Sequence, residues 1–128
     1  MAVKKILIVE DQVEILKLLK KVLETVDRKV FLAECGEDAL KIARVNIPDV
    51  ILLDIMLPGG IDGYEVARTL KQDPLTRTCS IIVMTAKVQE QDRLVAFEAG
   101  ADDFIGKEAL TRQLAAGVPN RFVTLEVH

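Results

Sequence analysis

Val50-Ile51-Leu52-Leu53-Asp54-Ile55-Met56-Leu57-Pro58-Gly59-Gly60 runs four apolar residues into an aspartate, and a Pro-Gly-Gly turn follows almost at once. So short an apolar run, bounded by a turn, predicts a strand buried on both faces. Asp54 then falls at or near the carboxyl end of that strand, where open parallel α/β sheets bind their ligands. The question for the rest of the chain is what else converges on that carboxylate.

Working outward, the same pattern recurs. Lys5-Ile6-Leu7-Ile8-Val9 reads as a buried strand closed by Glu10-Asp11, and Val30-Phe31-Leu32-Ala33 as a second. Ser80-Ile81-Ile82-Val83-Met84 is a further strand closed by Thr85-Ala86, and Asp103-Phe104-Ile105-Gly106 a short last one ending at Lys107. Between them lie helical patterns. The first places Ile15, Leu18, Leu19, Val22 and Val26 on one stripe. The second carries Ala39, Leu40, Ile42 and Ala43 and stops at Asn46 and Pro48. Tyr64 to Lys71 is the third, and Glu90 to Ala99 the fourth, with Leu94, Val95, Phe97 and Ala99 as its apolar residues and Gly100 as its stop. Strands alternating with helices argue βαβ units and a parallel sheet with helices on both faces. The expectation is a doubly wound, flavodoxin-like α/β fold with five strands in the order 2-1-3-4-5.

The 128 residues suit one domain, 50% hydrophobic and 29% charged, an ordinary globular profile. A net charge of -3 gives no basic surface, so direct binding to nucleic acid or to an anionic membrane is not expected. No stretch is long enough to span a bilayer. Cys35 and Cys79 lack metal spacing and read as small buried hydrophobes of a reducing cytoplasm.

In such a fold one sheet edge collects Glu10 and Asp11 from strand one, Asp54 from strand three, Thr85 from strand four and Lys107 from strand five. Three carboxylates in one cleft repel unless neutralised. A hard divalent cation with oxygen ligands does so, and Mg2+ is the natural candidate. With a lysine and a hydroxyl added, the set suits a transferred phosphoryl group, with Asp54 as nucleophile. Each residue also has a blander reading. Asp11 fits a cap for the first helix, Asp54 a turn and Thr85 a cap. Phe104 fits a core aromatic, and Asp62 and Asp102 fit solvated loops.

Taken together, these motifs resemble the receiver domain of two-component response regulators. The match rests on Glu10-Asp11, Asp54 within Leu53 to Gly59, Asp62-Gly63-Tyr64-Glu65, Met84-Thr85-Ala86, Gly100 to Phe104, and Lys107, in order over residues 4 to 110. The resemblance implies that Asp54 accepts a phosphoryl group from a sensor histidine kinase or a histidine phosphotransfer protein. It implies Mg2+ held by Asp11, Asp54 and the Met56 carbonyl, with Glu10 acting through a water. It casts Lys107 and Thr85 as partners of the phosphoryl oxygens and Phe104 as the switch aromatic. Met56 and Lys87 stand where the family tunes dephosphorylation. A downstream effector protein or domain would read the switched surface. Such a protein is cytoplasmic, a monomer or weak dimer, and no enzyme toward external substrates.

Three features depart from the family. The loop Pro58 to Gly63 is one residue longer than usual. Glu108 replaces the proline that usually follows the lysine, so the bond before it is expected to be trans. The fifth helix, begun by Leu110 and Leu114, is expected to end near Gly117-Val118-Pro119-Asn120. This puts a receiver at 1–116 and an atypical tail at 117–128. There Val123, Leu125 and Val127 alternate with polar residues, fitting an extra strand, an exchanged strand or disorder, and His128 reads as a solvated terminus.

Three rivals stay in view. A pseudo-receiver would only bind partners. A metal-dependent phosphohydrolase would want an aspartate where Met56 stands. A flavin module would want a glycine-rich phosphate loop where Glu10-Asp11-Gln12 stands.

Overall fold

The computed structural model describes residues 3–86 and 89–115. Expectations for Lys87 and for the 117–128 tail, His128 included, lie outside the described residues, as does the side chain of Leu114. The chain alternates strictly: β1 (Lys4–Val9), α1 (Val13–Leu23), β2 (Arg28–Ala33), α2 (Gly36–Asn46), β3 (Val50–Asp54), α3 (Gly63–Gln72), β4 (Ser80–Thr85), α4 (Glu90–Glu98), β5 (Asp103–Gly106) and α5 (Lys107–Ala115). The strands form one parallel sheet in the order β2-β1-β3-β4-β5, as the sequence predicts.

Alternation along each strand splits the core in two. Leu7, Val9, Ile51, Leu53, Ile81, Val83 and Phe104 face one side, covered by Ala39 and Ala43 of α2, Val66 and Leu70 of α3, Ala96 of α4 and Ala99 at its C-cap. Ile8, Leu52, Ile82, Met84 and Ile105 face the other, covered by Leu16, Leu19 and Leu23 of α1 and Leu110 of α5. β3 is buried along its whole length, which is why its sequence is an unbroken apolar run.

The sheet overrules the helix stripes in two places. In α1 the buried residues are Leu16, Leu19 and Leu23, while Leu18 is 39% exposed. Val26 lies beyond the helix in the turn before β2 and is 94% exposed. The apolar residues of this helix fit two stripes one residue apart, and the sheet face selects the other. In α4 and its C-cap the small Ala96 and Ala99 pack inward, while Leu94 and Phe97 remain on the surface at 55% and 37% exposure. The sequence pattern weighed size, and the close approach of α4 favours alanine. Cys79 is buried as expected, but Cys35 is only partly so.

The register aligns the site. Val9 pairs with Leu53, Asp54 with Met84, and Thr85 with Gly106. Glu10, Asp54, Thr85 and Lys107 therefore leave the sheet at one edge. Lys107 opens α5 rather than ending β5, and no described peptide bond is cis, the Lys107–Glu108 bond included.

Candidate phosphoacceptor site

At that edge Glu10, Asp11 and Asp54 each offer a carboxylate oxygen, all within 4.8 Å of one another. Glu10 and Asp54 are wholly buried, whereas Asp11 is exposed. Both Asp54 oxygens are engaged: the Met56 backbone N–H donates to Oδ1 at 2.9 Å and Lys107 Nζ to Oδ2 at 2.9 Å. Lys107 Nζ also forms an ion pair with Glu10 Oε1 at 2.6 Å. The other Glu10 oxygen accepts the Asp11 N–H at 2.9 Å. The Asp54 and Lys107 side chains, 53 positions apart, thus meet as the register requires.

One lysine cannot neutralise two buried carboxylates and their exposed neighbour. Burial, then the adjoining Asp54 carboxylate, push the Glu10 pKa from its ordinary 4.5 to about 7, against the opposing pull of Lys107. Lys107 is itself held above its usual value, because the two carboxylates outweigh the cost of its burial. Carboxylates grouped so closely, with one holding its proton to near neutrality, fit a hard divalent cation.

A pH dependence follows. Between about pH 4.5 and 7 the folded chain keeps a proton on Glu10 that the unfolded chain has lost. Without metal, stability therefore falls as pH rises through that window and levels above it. Thermal melts in chelator from pH 5 to 8 are expected to show this decline, and Glu10→Gln to remove its Glu10 component. An unchanged slope in that variant would rule the assignment out. A cation held at this cluster would have to displace that proton, so Mg2+ affinity should climb about tenfold per pH unit below 7.

The remaining residues fall around this centre. Thr85 is wholly buried at the end of β4, next to the strand that carries Asp54. Phe104 is buried in the core, paired with Val83, and so shares a sheet face with Thr85 two positions further on. Met56 is 52% exposed beside Asp54. Asp11 does not cap α1: Gln12 stands at that position, without a side-chain cap bond. Asp62 and Asp102 are not merely solvated. Asp62 caps α3 by accepting the Glu65 N–H at 2.9 Å. Asp102 accepts the Ile81 N–H at 2.8 Å and Lys71 Nζ at 3.1 Å, tying the entry to β5 against β4 and α3.

The family model for the response regulator receiver domain matches residues 6–118. The chain belongs to the response regulator receiver family. This receiver is 43% identical over 115 residues to the alkaline phosphatase synthesis transcriptional regulatory protein PhoP of Bacillus subtilis, covering 90% of the chain and 47% of that protein. It is 42% identical over 113 residues to the phosphate regulon transcriptional regulatory protein PhoB of Pseudomonas aeruginosa, covering 88% of the chain and 49% of that protein. The chain thus spans about half the length of these relatives. Among solved structures, the phosphorylated cyanobacterial phytochrome response regulator RcpA superposes with a TM-score of 0.78 at 32% identity, over 88% of this receiver and 86% of that chain. The Mn(2+)-bound form of response regulator Rcp1 superposes with a TM-score of 0.70 at 30% identity, over 81% of each chain. No helix among the described residues of the receiver is long and apolar enough to cross a membrane.

Proposed function

We propose that this receiver takes a phosphoryl group onto Asp54 from the phosphohistidine of a histidine kinase or phosphotransfer protein. The observation that carries this is the buried Asp54 carboxylate, fixed by the Met56 N–H and Lys107 inside a three-carboxylate cluster. An Asp54 oxygen attacks phosphorus, the donor's phosphorus–nitrogen bond breaks, and its electron pair stays on the leaving nitrogen. Glu10, Asp11, Asp54 and the Met56 carbonyl are the groups that would hold Mg2+, which when bound supplies charge neutralisation for the phosphoryl oxygens. Lys107 offsets the added charge, and Thr85 follows the phosphoryl group. Phe104 lies on the same sheet face and can repack with Thr85.

The receiving unit is residues 1–116. It acts on no external substrate, only on its own acyl phosphate. The surface it switches is the α4–β5 face, where Leu94 and Phe97 stay exposed and the Arg93 guanidinium lies 5.7 Å from the Phe97 ring centroid. A downstream effector reads that face. The working compartment is the cytoplasm.

Incubation with Mg2+ and phosphoramidate is expected to add one phosphoryl group per chain. Borohydride reduction and peptide mapping should place it at Asp54, and chelator should prevent it. Labelling mapped elsewhere would overturn the assignment, and no labelling at all would leave a pseudo-receiver.

A further inference from the structure

A cleft of about 440 Å³ opens beside the acceptor, lined by Asp11, Ile55, Met56, Leu57, Pro58, Asp62, Tyr64 and Asp92. Asp54, Glu10 and Thr85 are wholly buried, while Asp11 and Met56 are exposed, so solvent and donor reach the acceptor from the side those two residues share with the cleft. Its floor is the apolar β3–α3 loop. Its far wall is α4, held by a long hydrogen bond from the Tyr64 hydroxyl to the Asp92 carbonyl oxygen at 3.4 Å.

Among the described residues, the charge on these walls has one sign. Asp62 and Asp92 both act on Tyr64, and among the described residues no lysine, arginine or histidine lines the cleft. Burial, then the carboxylates of Asp92 and Asp62, hold the Tyr64 phenol above its usual value, so both negative charges act on this space. A leaving group that sits here meets an apolar floor and a negative wall. That suits a flat or small cationic nitrogen group and opposes an anionic oxygen one.

We infer that this cleft is the leaving-group subsite of the acceptor and that Asp92 makes it prefer nitrogen-linked over acyl phosphoryl donors. This rests on the phosphoacceptor reading. In a phosphoramidate the bridging nitrogen is protonated and positive, and leaves as ammonia when the phosphorus–nitrogen pair returns to it. In an acetyl phosphate the bridging oxygen takes the electron pair and leaves as carboxylate. The phosphoryl group is anionic in both, so its interaction with Glu10, Asp11 and Lys107 cancels when the two donors are compared. What remains in the ratio is the charge around the leaving group.

The test measures second-order phosphorylation rates with phosphoramidate and with acetyl phosphate, in Mg2+, for the native chain, Asp92→Asn and Asp92→Lys. Asp92→Asn is expected to shift the phosphoramidate-to-acetyl phosphate ratio toward acetyl phosphate by roughly 2–5-fold, the range of a partly exposed charge pair. Asp92→Lys should shift it by about the square of that factor, and both shifts should shrink in high salt. A purely structural effect of either variant on α4 would move both donors by the same factor and leave the ratio unchanged. An unchanged ratio in a native chain that labels overturns the subsite. Failure of the native chain to label with either donor overturns the phosphoacceptor reading itself.

Discussion

Asp54→Asn is expected to accept no measurable phosphoryl group from any donor while keeping its fold. The loss in rate should be on the order of 10³-fold or more, the scale seen when a nucleophile is removed from a site that otherwise stays intact. Asparagine has nearly the same shape, so β3 still ends in a residue that packs and accepts the Met56 N–H through its remaining oxygen. What it lacks is the nucleophilic oxygen and the charge that pairs with Lys107. If the amide nitrogen turns toward Lys107 Nζ, two donors face each other, and the lysine is left to the Glu10 carboxylate at 2.6 Å. Removing the Asp54 charge also removes one of the causes that hold the Glu10 proton, so Glu10 ionises at lower pH. The cost to stability should stay under about 2 kcal/mol, because one buried repulsion is lost along with one buried attraction. Intact-mass measurement after exposure to phosphoramidate and to acetyl phosphate, with thermal melts alongside, checks both halves. Labelling at a level comparable to the native chain would sink the assignment of Asp54.

The sequence carried the fold because each buried strand is written in local apolar runs, and a parallel sheet has to place their carboxyl ends along one edge. That is enough to bring Glu10, Asp54, Thr85 and Lys107 together. Less legible were choices made by surfaces rather than by runs. The two apolar stripes of α1 differ by one residue, and only the sheet decides between Leu18 and Leu16. The roles of Asp62 and Asp102 were missed for different reasons. Asp62 caps a helix that the pattern starts one residue late, at Tyr64 instead of Gly63. Asp102 finds its partners 21 and 31 positions away in β4 and α3, and no periodicity records such a pair. The cleft was invisible for the same reason, since Tyr64 and Asp92 meet only through the packing of α3 against α4. An Asp-Gly-Tyr-Glu run after the third strand was the one available signal, and it points to a helix start, not to a wall of a cavity.

Gly63→Ala should be the most damaging glycine change near the site. Gly63 opens α3, and its N–H donates to the Ile55 carbonyl oxygen at 3.1 Å, which stitches the helix onto the end of β3. A Cβ there would overlap the Ile55 Cα and the Asp54 carbonyl oxygen and lie 3.0 Å from the Asp54 carbonyl carbon. All three are backbone atoms, so no rotamer change relieves the overlap. Either α3 lifts away or the end of β3 bends, and both disturb the segment that fixes the Asp54 carboxylate. Overpacking costs about 1–3 kcal/mol, occasionally more; an overlap with backbone atoms belongs at the upper end, about 3 kcal/mol, or a fall in Tm of roughly 10–15 °C for a chain of this size. Phosphorylation should slow as well, since Met56 and Asp54 move with the loop. Gly59 supplies the contrast. Its φ is +89°, yet nothing lies within 4 Å of a Cβ placed on it. Gly59→Ala therefore meets only the left-handed backbone penalty, about 1–2 kcal/mol, and leaves the acceptor in place. Melting and phosphoramidate labelling of the two variants side by side separate space from conformation. If Gly59→Ala proves the more destabilising, the close approach of α3 to β3 is not what positions Asp54.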